Sequence, residues 1–434
     1  MILHPHFDVN AEGHLTIGGA DAVALAREFG TPAYILDETV IRENCRTYLT
    51  AARRCFGADA LPLYASKALS FTGIYRIVAE EGLGIDCVSG GELYTAKNAG
   101  FPAERIYFHG NNKTDADLNQ ALDMGVGTIV VDGNEELEAL SALAQKRDRV
   151  QKILLRITPG IDPHTHRAIM TGNVDSKFGN AIVTGQALAI TAKALSTPGV
   201  RLAGFHCHIG SQIFDIDPFR DAADIMLRFI ADVKAATGFE AEELNLGGGL
   251  GVRYTEDDRE IDYTAAIAEI AKIVREGAKQ AGVAMPRVIL EPGRSLVAAA
   301  GATLYTVGSV KEIPGFRNYV SVDGGMPDNP RYALYQSRYT ALIANRAAMP
   351  KDYVATIAGR CCESGDLIGE GMPLQHPKRG DVLAVLCTGA YNYSMASNYN
   401  RLPKPPVVMV RDGVARPAVR RETYADLVDL DVIE

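Results

Sequence analysis

The sequence predicts an α/β protein, a (β/α)8 TIM-like barrel with a second, C-terminal all-β domain. Eight short apolar runs recur between residues 61 and 293, each followed by a turn and a stretch of helical periodicity. Reactive side chains fall at the C-terminal ends of most of these runs, where barrel enzymes carry their chemistry. After about residue 297 the alternation gives way to β-rich segments.

The runs, in order, are LPLYASK (61–67), LGIDCVS (83–89), RIYFHGN (105–111), GTIVVDG (127–133), KILLRIT (152–158), RLAGFHCHI (201–209), ELNLGGG (243–249) and RVILEPG (287–293). GGELYTAKNAG and NEELEALSALAQK between them have the pattern of amphipathic helices. Eight two-sided apolar strands alternating with helices close a parallel barrel, with an open doubly wound sheet as the main rival. Spacing lengthens from the fifth run onward, which predicts insertions near the site. ATLYTVGSVKEI, NYVSVD, DYVATIAGR, DVLAVLC and PVVMVRDGVARP form the β-rich part, the last a hairpin turning at Asp412-Gly413. The expected domains are therefore a barrel over 36–297 and a β-rich domain from 1–35 plus 298–434, the first part through HLTIGG and PAYILD.

Bulk properties narrow the function. The 434 residues are 47% hydrophobic and 22% charged, as in a globular protein with a large core, and the net charge of −9 has no basic block to attract nucleic acid. No run approaches the ~18 apolar residues of a membrane span, and the N-terminus has no leader pattern. Seven cysteines without framework spacing, two of them adjacent, fit a reducing cytoplasm. A small molecule and another copy of the chain are the expected partners.

Lys67 ends the first run, Asp86 the second, His109 the third, Arg156 the fifth, His208 the sixth and Glu291 the eighth. Partial desolvation of Lys67 would lower its pKa and favour the neutral amine that forms a Schiff base, although a strand-end lysine also commonly snorkels to water. LNLGGGLG removes three side chains in succession and lets backbone amides approach an anion; tight strand–helix packing is the alternative use. Glu291 could hold a pyridine nitrogen protonated, or form a rim salt bridge. The HxH of HCHIGSQ is read as sending His206 and His208 to opposite faces. With no further Cys/His cluster in view, no metal is expected, and His208 is assigned to stack on an aromatic cofactor.

YASKA, GIDCVSGGEL, HGNNK, HTHRAIMTGNVDSKFG, HCHIGSQ, LNLGGGLG, LEPGRSLVA, CCESGD and GAYNYSMASNYN occur in order over nearly the whole chain. Together they resemble the alanine-racemase-like pyridoxal-phosphate-dependent decarboxylases, and within them the diaminopimelate decarboxylases. The resemblance implies a homodimeric lyase of lysine biosynthesis that decarboxylates meso-2,6-diaminopimelate to L-lysine and carbon dioxide with pyridoxal 5'-phosphate. It makes Lys67 the cofactor-bearing lysine, stacks His208 on the ring and pairs Glu291 with the ring nitrogen. Ser211, Gly248, Gly249 and the backbone at Gly293 and Arg294 would hold the phosphate, approached by Tyr391. Arg294, Arg331 and Tyr335 resemble the substrate-carboxylate residues. Cys362 and Glu363 resemble a pair donated across the dimer interface, Cys362 near the reacting carbon and Glu363 at the distal ammonium; alone, Cys362 would read as a buried small hydrophobe.

Asp86 and Arg156 are expected to support the site, Lys177 of SKFG to order a loop, and Tyr399 to pack. The segment DGGMPDNPRYALY departs from the family pattern at Pro327, Pro330 and Tyr332 but keeps the Arg331 and Tyr335 spacing. Two alternatives stay open. One is a decarboxylase of ornithine, arginine, lysine or carboxynorspermidine, although the ornithine type carries Asp where this chain has Glu363. The other is a non-catalytic regulator, which would have no need of Lys67, Glu291, Cys362 and Tyr391.

Overall fold

A computed structural model describes residues 4–161 and 175–433. The part of HTHRAIMTGNVDSKFG before residue 175 therefore lies outside the described residues. The chain forms two compact units, Asn44–Gly251 with Ile261–Gly293, and Met1–Glu43 with Val252–Glu260 and Arg294–Glu434.

The first unit is a parallel barrel of eight strands. They are β1 (Leu63–Ala65), β2 (Gly84–Cys87), β3 (Ile106–Phe108), β4 (Thr128–Val131), β5 (Gln151–Thr158), β6 (Val200–His206), β7 (Glu243–Asn245) and β8 (Arg287–Ile289). Neighbours pair in chain order. Leu63 N donates to Leu290 O at 2.8 Å and Ala65 N to Pro292 O at 3.0 Å, so the first strand meets the chain just beyond the last. These bonds exclude the open-sheet alternative, because an open sheet leaves both edge strands unpaired.

Helices return the chain between strands, and their ends follow local chemistry. Ser89 caps Gly90–Ala99 by accepting from Glu92 N, and Gly100 ends it at φ 70°. A capping box of Thr114 and Asp117 opens Asp115–Met124. Asp262 caps Tyr263–Ala281, the longer return between β7 and β8. Among the described residues no helix is long and apolar enough to cross a membrane.

Leu63, Tyr107, Val130, Leu154, Ala203 and Ile289 fill the barrel interior. At the strands' N-terminal ends, buried Glu243 of β7 accepts from Tyr107 Oη at 3.0 Å, Lys152 Nζ at 2.6 Å and Arg287 Nη1 at 2.9 Å. Three strands are thus tied to a fourth by one carboxylate. Replacing it leaves two cations without their counter-charge, so Glu243→Ala is expected to lower stability by about 3–5 kcal/mol. Chemical denaturation of the cofactor-free protein tests this, and a loss below about 1 kcal/mol would show the network to be incidental.

The second unit is built on sheets. Phe7–Val9, Leu15–Ile17 and Ala20–Asp21 form a small antiparallel sheet. Ala33–Asp37 runs antiparallel to Gly301–Ile313 and parallel to Val407–Arg411. Val407–Arg411 and Val414–Val419 form the expected hairpin, with Asp412 and Gly413 at φ 52° and 77° in its two-residue turn.

In the atypical segment, Asp328 is buried, takes Gly325 N at 2.9 Å and pairs with the Tyr305 hydroxyl. Burial pushes its carboxyl up to about 7 from 3.8; Tyr305 and Gly325 oppose the shift, while Asp366 and Asp323 add to it. Between those values the folded chain holds a proton that the unfolded chain has lost, so stability falls as pH rises through the window. Asp328→Asn is expected to flatten this dependence, the wild type losing about 2–3 kcal/mol relative to it between pH 5 and 7. Parallel urea curves for the two proteins at both pH values would overturn this.

Candidate active site

The C-terminal strand ends of the barrel gather a buried polar cluster. Glu291 lies just past β8, with Oε1 2.9 Å from His109 Nε2 and Oε2 3.3 Å from His206 Nε2. Asn245 Nδ2 donates to Oε1 at 2.6 Å. His109 Nε2 also stands 3.8 Å from Asp86 Oδ1, and the two imidazoles meet edge to face, 4.7 Å between centroids. All five side chains are buried.

Burial would raise the Glu291 pKa, yet His109 and His206 hold it well below the ordinary carboxylate range. Burial pushes Asp86 up to about 6, His109 opposing and Glu291 adding. Burial also lowers His206 to about 4 and, with Lys67 and Arg156, takes His208 well below its usual value. The cluster therefore offers one persistent carboxylate charge beside a neutral imidazole.

Lys67 sits in a single helical turn, Ser66–Ala68, between two buried neighbours. The side chain is exposed, so the expectation that burial would desolvate the amine is corrected. The strand ends at Ala65, and the turn carries the lysine out of the apolar run.

The expectation that His206 and His208 face apart is also corrected. Residues two apart share a face of a strand. His206 closes β6 against Glu291, while His208 Nδ1 accepts from Gly248 N at 3.3 Å. The fold also gathers donors that the HxH pattern lacked locally, placing the ligating atoms of His109, His206 and Glu291 within 4.8 Å of one another.

The glycine run lies against β8 and the turn after β6. A Cβ on Gly248 would stand 2.1 Å from Glu291 O, and one on Gly249, at φ 122°, would stand 2.5 Å from Gly210 O. Nothing larger than glycine fits, and two of the turn's amides are engaged locally, Gly247 N with Asn245 Oδ1 at 2.8 Å and Gly248 N with His208 Nδ1 at 3.3 Å. Ser211 lies half-buried nearby in the chain, and Gly293 is buried just beyond Glu291. Arg156, 4.0 Å from Asp132, stacks 4.1 Å over the Phe178 ring, and Lys177 lies 4.9 Å from the same ring.

These residues fit the pyridoxal phosphate that the resemblance implies. The glycine turn packs too closely on the backbone at Glu291 and Gly210 to carry side chains, Glu291 is a buried anion suited to a protonated ring nitrogen, and Lys67 presents an accessible amine.

The β-rich unit carries its own constellation. Arg294 Nη1 donates to Tyr254 Oη at 2.8 Å, and its guanidinium lies 4.6 Å from the Tyr391 ring. Arg331 lies 5.4 Å from the same ring and 5.5 Å from that of Tyr335. Arg331 is buried; among the described residues its Nε has no hydrogen-bond partner, and its side chain donates from Nη2 to Ser337 Oγ at 3.2 Å. Among the described residues no carboxylate pairs with it, so the guanidinium is equipped to receive an anion. Pro330 precedes the short helix Arg331–Tyr335, and Tyr332 Oη donates to Glu370, so the unusual residues leave Arg331 and Tyr335 on one turn. Cys362 and Glu363 are exposed, Cys362 N donating to Asn400 Oδ1 at 2.8 Å. Tyr399 is 42% exposed rather than packed.

Sequence reasoning missed Asn245 and Tyr254. A polar residue inside the apolar run ELNLGGG is a signal for the first; Tyr254, in a loop, carries none.

Residues 41–298 match the family model "Pyridoxal-dependent decarboxylase, pyridoxal binding domain". The chain is 49% identical to a diaminopimelate decarboxylase of Bacillus subtilis, covering 100% of this chain and 98% of the relative. It is 47% identical to that of Halalkalibacterium halodurans, with the same coverage. The crystal structure of diaminopimelate decarboxylase from M. jannaschii in complex with L-lysine superposes with a TM-score of 0.91 at 36% identity, covering 100% of this chain and 99% of that one.

Proposed function

The chain belongs to the diaminopimelate decarboxylases of the pyridoxal-dependent decarboxylase family, and from that premise we propose how its residues divide the work of converting meso-2,6-diaminopimelate to L-lysine and carbon dioxide. Pyridoxal phosphate is the cofactor, and when bound it supplies the electron sink that takes up the pair left by the departing carboxylate.

Lys67 would hold the cofactor through its amine, the group that the substrate amine would replace. Glu291 would keep a negative charge for the ring nitrogen, His208 would stack on the ring, and Asp86 and Arg156 would support the arrangement. Ser211, Gly248, Gly249, Gly293 and Arg294 bind the phosphate, joined by Tyr391. Arg294, Arg331 and Tyr335 take the substrate's distal carboxylate. Cys362, near the reacting carbon, and Glu363, at the distal ammonium, come from a partner subunit, which makes the working form a homodimer. The barrel segment 36–297 would thus carry the lysine, the ring contacts and most phosphate contacts, and the β-rich remainder, 1–35 and 298–434, would add Tyr391 and the substrate residues Arg331, Tyr335, Cys362 and Glu363. Seven free cysteines, two adjacent, support a cytoplasmic enzyme.

The observation that carries this reading is the buried Glu291 carboxylate, held ionised by His109 and His206. Product release from meso-diaminopimelate, ornithine, arginine and lysine, each with added cofactor, tests it. Lysine and carbon dioxide from diaminopimelate alone are expected. Turnover of another amino acid in its place would reassign the substrate, and binding of cofactor without turnover of any would favour a regulator.

A further inference from the structure

Asn245 is fully buried at the end of β7, between the apolar Leu244 and Leu246. A buried amide in such a place is costly unless its polar atoms are matched. Its Oδ1 accepts from Gly247 N at 2.8 Å and its Nδ2 donates to Glu291 Oε1 at 2.6 Å. Chemistry alone fixes this orientation, because a backbone N–H can only donate and an ionised carboxylate can only accept. Gly247 O in turn accepts from Glu291 N at 2.8 Å, closing a ring of bonds between the glycine turn and the carboxylate.

We propose that Asn245 is a positioning residue that locks the Glu291 carboxylate and the Gly247–Gly249 turn in one register, so that the ring end and the phosphate end of the cofactor are recognised together. The proposal rests on the reading of Glu291 and the glycines as the ring and phosphate contacts. Asparagine suits both bonds at once, whereas aspartate keeps the acceptor for Gly247 N and sets a like charge against Glu291.

The test uses the cofactor-free protein, titrated with pyridoxal phosphate, with pyridoxal as a ring-only probe and with inorganic phosphate as the other. Asn245→Ala is expected to weaken pyridoxal phosphate by about 10- to 100-fold, the loss that removing an outer support brings, and to displace the absorbance maximum of the bound cofactor, as Glu291→Gln is also expected to do. Asn245→Asp is expected to weaken pyridoxal while holding inorganic phosphate within about twofold of wild type, and it checks the proposal if the alanine variant does not fold. Combined with Glu291→Gln, Asn245→Ala is expected to cost less than the product of the single effects. Pyridoxal phosphate affinity and spectrum unchanged in both Asn245 variants, or purely multiplicative effects in the double variant, would overturn it while Glu291→Gln still perturbs the ring. If Glu291→Gln itself leaves pyridoxal affinity and the spectrum untouched, the assignment of Glu291 falls, and this proposal with it.

Discussion

Lys67→Ala is expected to lose on the order of 10^4-fold in kcat on meso-diaminopimelate, the upper end of what one positioned proton-transferring group contributes, because the same amine is proposed to hold the cofactor. The loss should come without unfolding. Lys67 is exposed in a one-turn helix, so its truncation leaves no cavity and should change stability by no more than about 0.5 kcal/mol. Steady-state rates with a melting curve of the same preparation separate the two quantities. Activity within tenfold of wild type would remove Lys67 from the chemistry.

Gly248→Ala is the second large effect. The added methyl would stand 2.1 Å from Glu291 O, a backbone atom that cannot turn aside, so either the glycine turn or the chain after β8 must move. Overpacking of this kind costs about 1–3 kcal/mol and sometimes more. The movement falls on the anion cradle and on the residue assigned to the ring, so pyridoxal phosphate affinity is expected to drop by about 100-fold or more. Equilibrium titration of the cofactor-free variant measures this, and affinity within about threefold of wild type would show that the turn is not the cradle.

The barrel was legible because the strands are short and apolar and most end in a reactive residue, a pattern that survives reading one chain in isolation. Lys67, Asp86, His109 and Glu291 could be picked out because strand ends are chemically conspicuous. What escaped depends on neighbours far away in sequence. Asn245 acquires its meaning from Glu291 and Gly247, and Tyr254 from Arg294, neither visible in local periodicity. The exposure of Lys67 escaped because β1 ends two residues before it, a boundary that an apolar pattern does not mark. The pairing of His206 with Glu291 escaped through a wrong assignment of faces, since residues two apart in a strand share a face and the strand here ends at His206.

The bonds from Leu63 to Leu290 and from Ala65 to Pro292 bear on how the protein comes into being. They join the first strand of the barrel to the chain beyond the last, contacts of high sequence separation that are slow to form. Residues 67 and 291, which follow the first and last strands, come to the same end of the barrel only once this seam has closed. A nascent chain on the ribosome therefore has no cofactor site until the eighth strand has emerged. Cofactor absorbance during refolding should consequently lag behind the return of helical signal and report closure of the barrel itself.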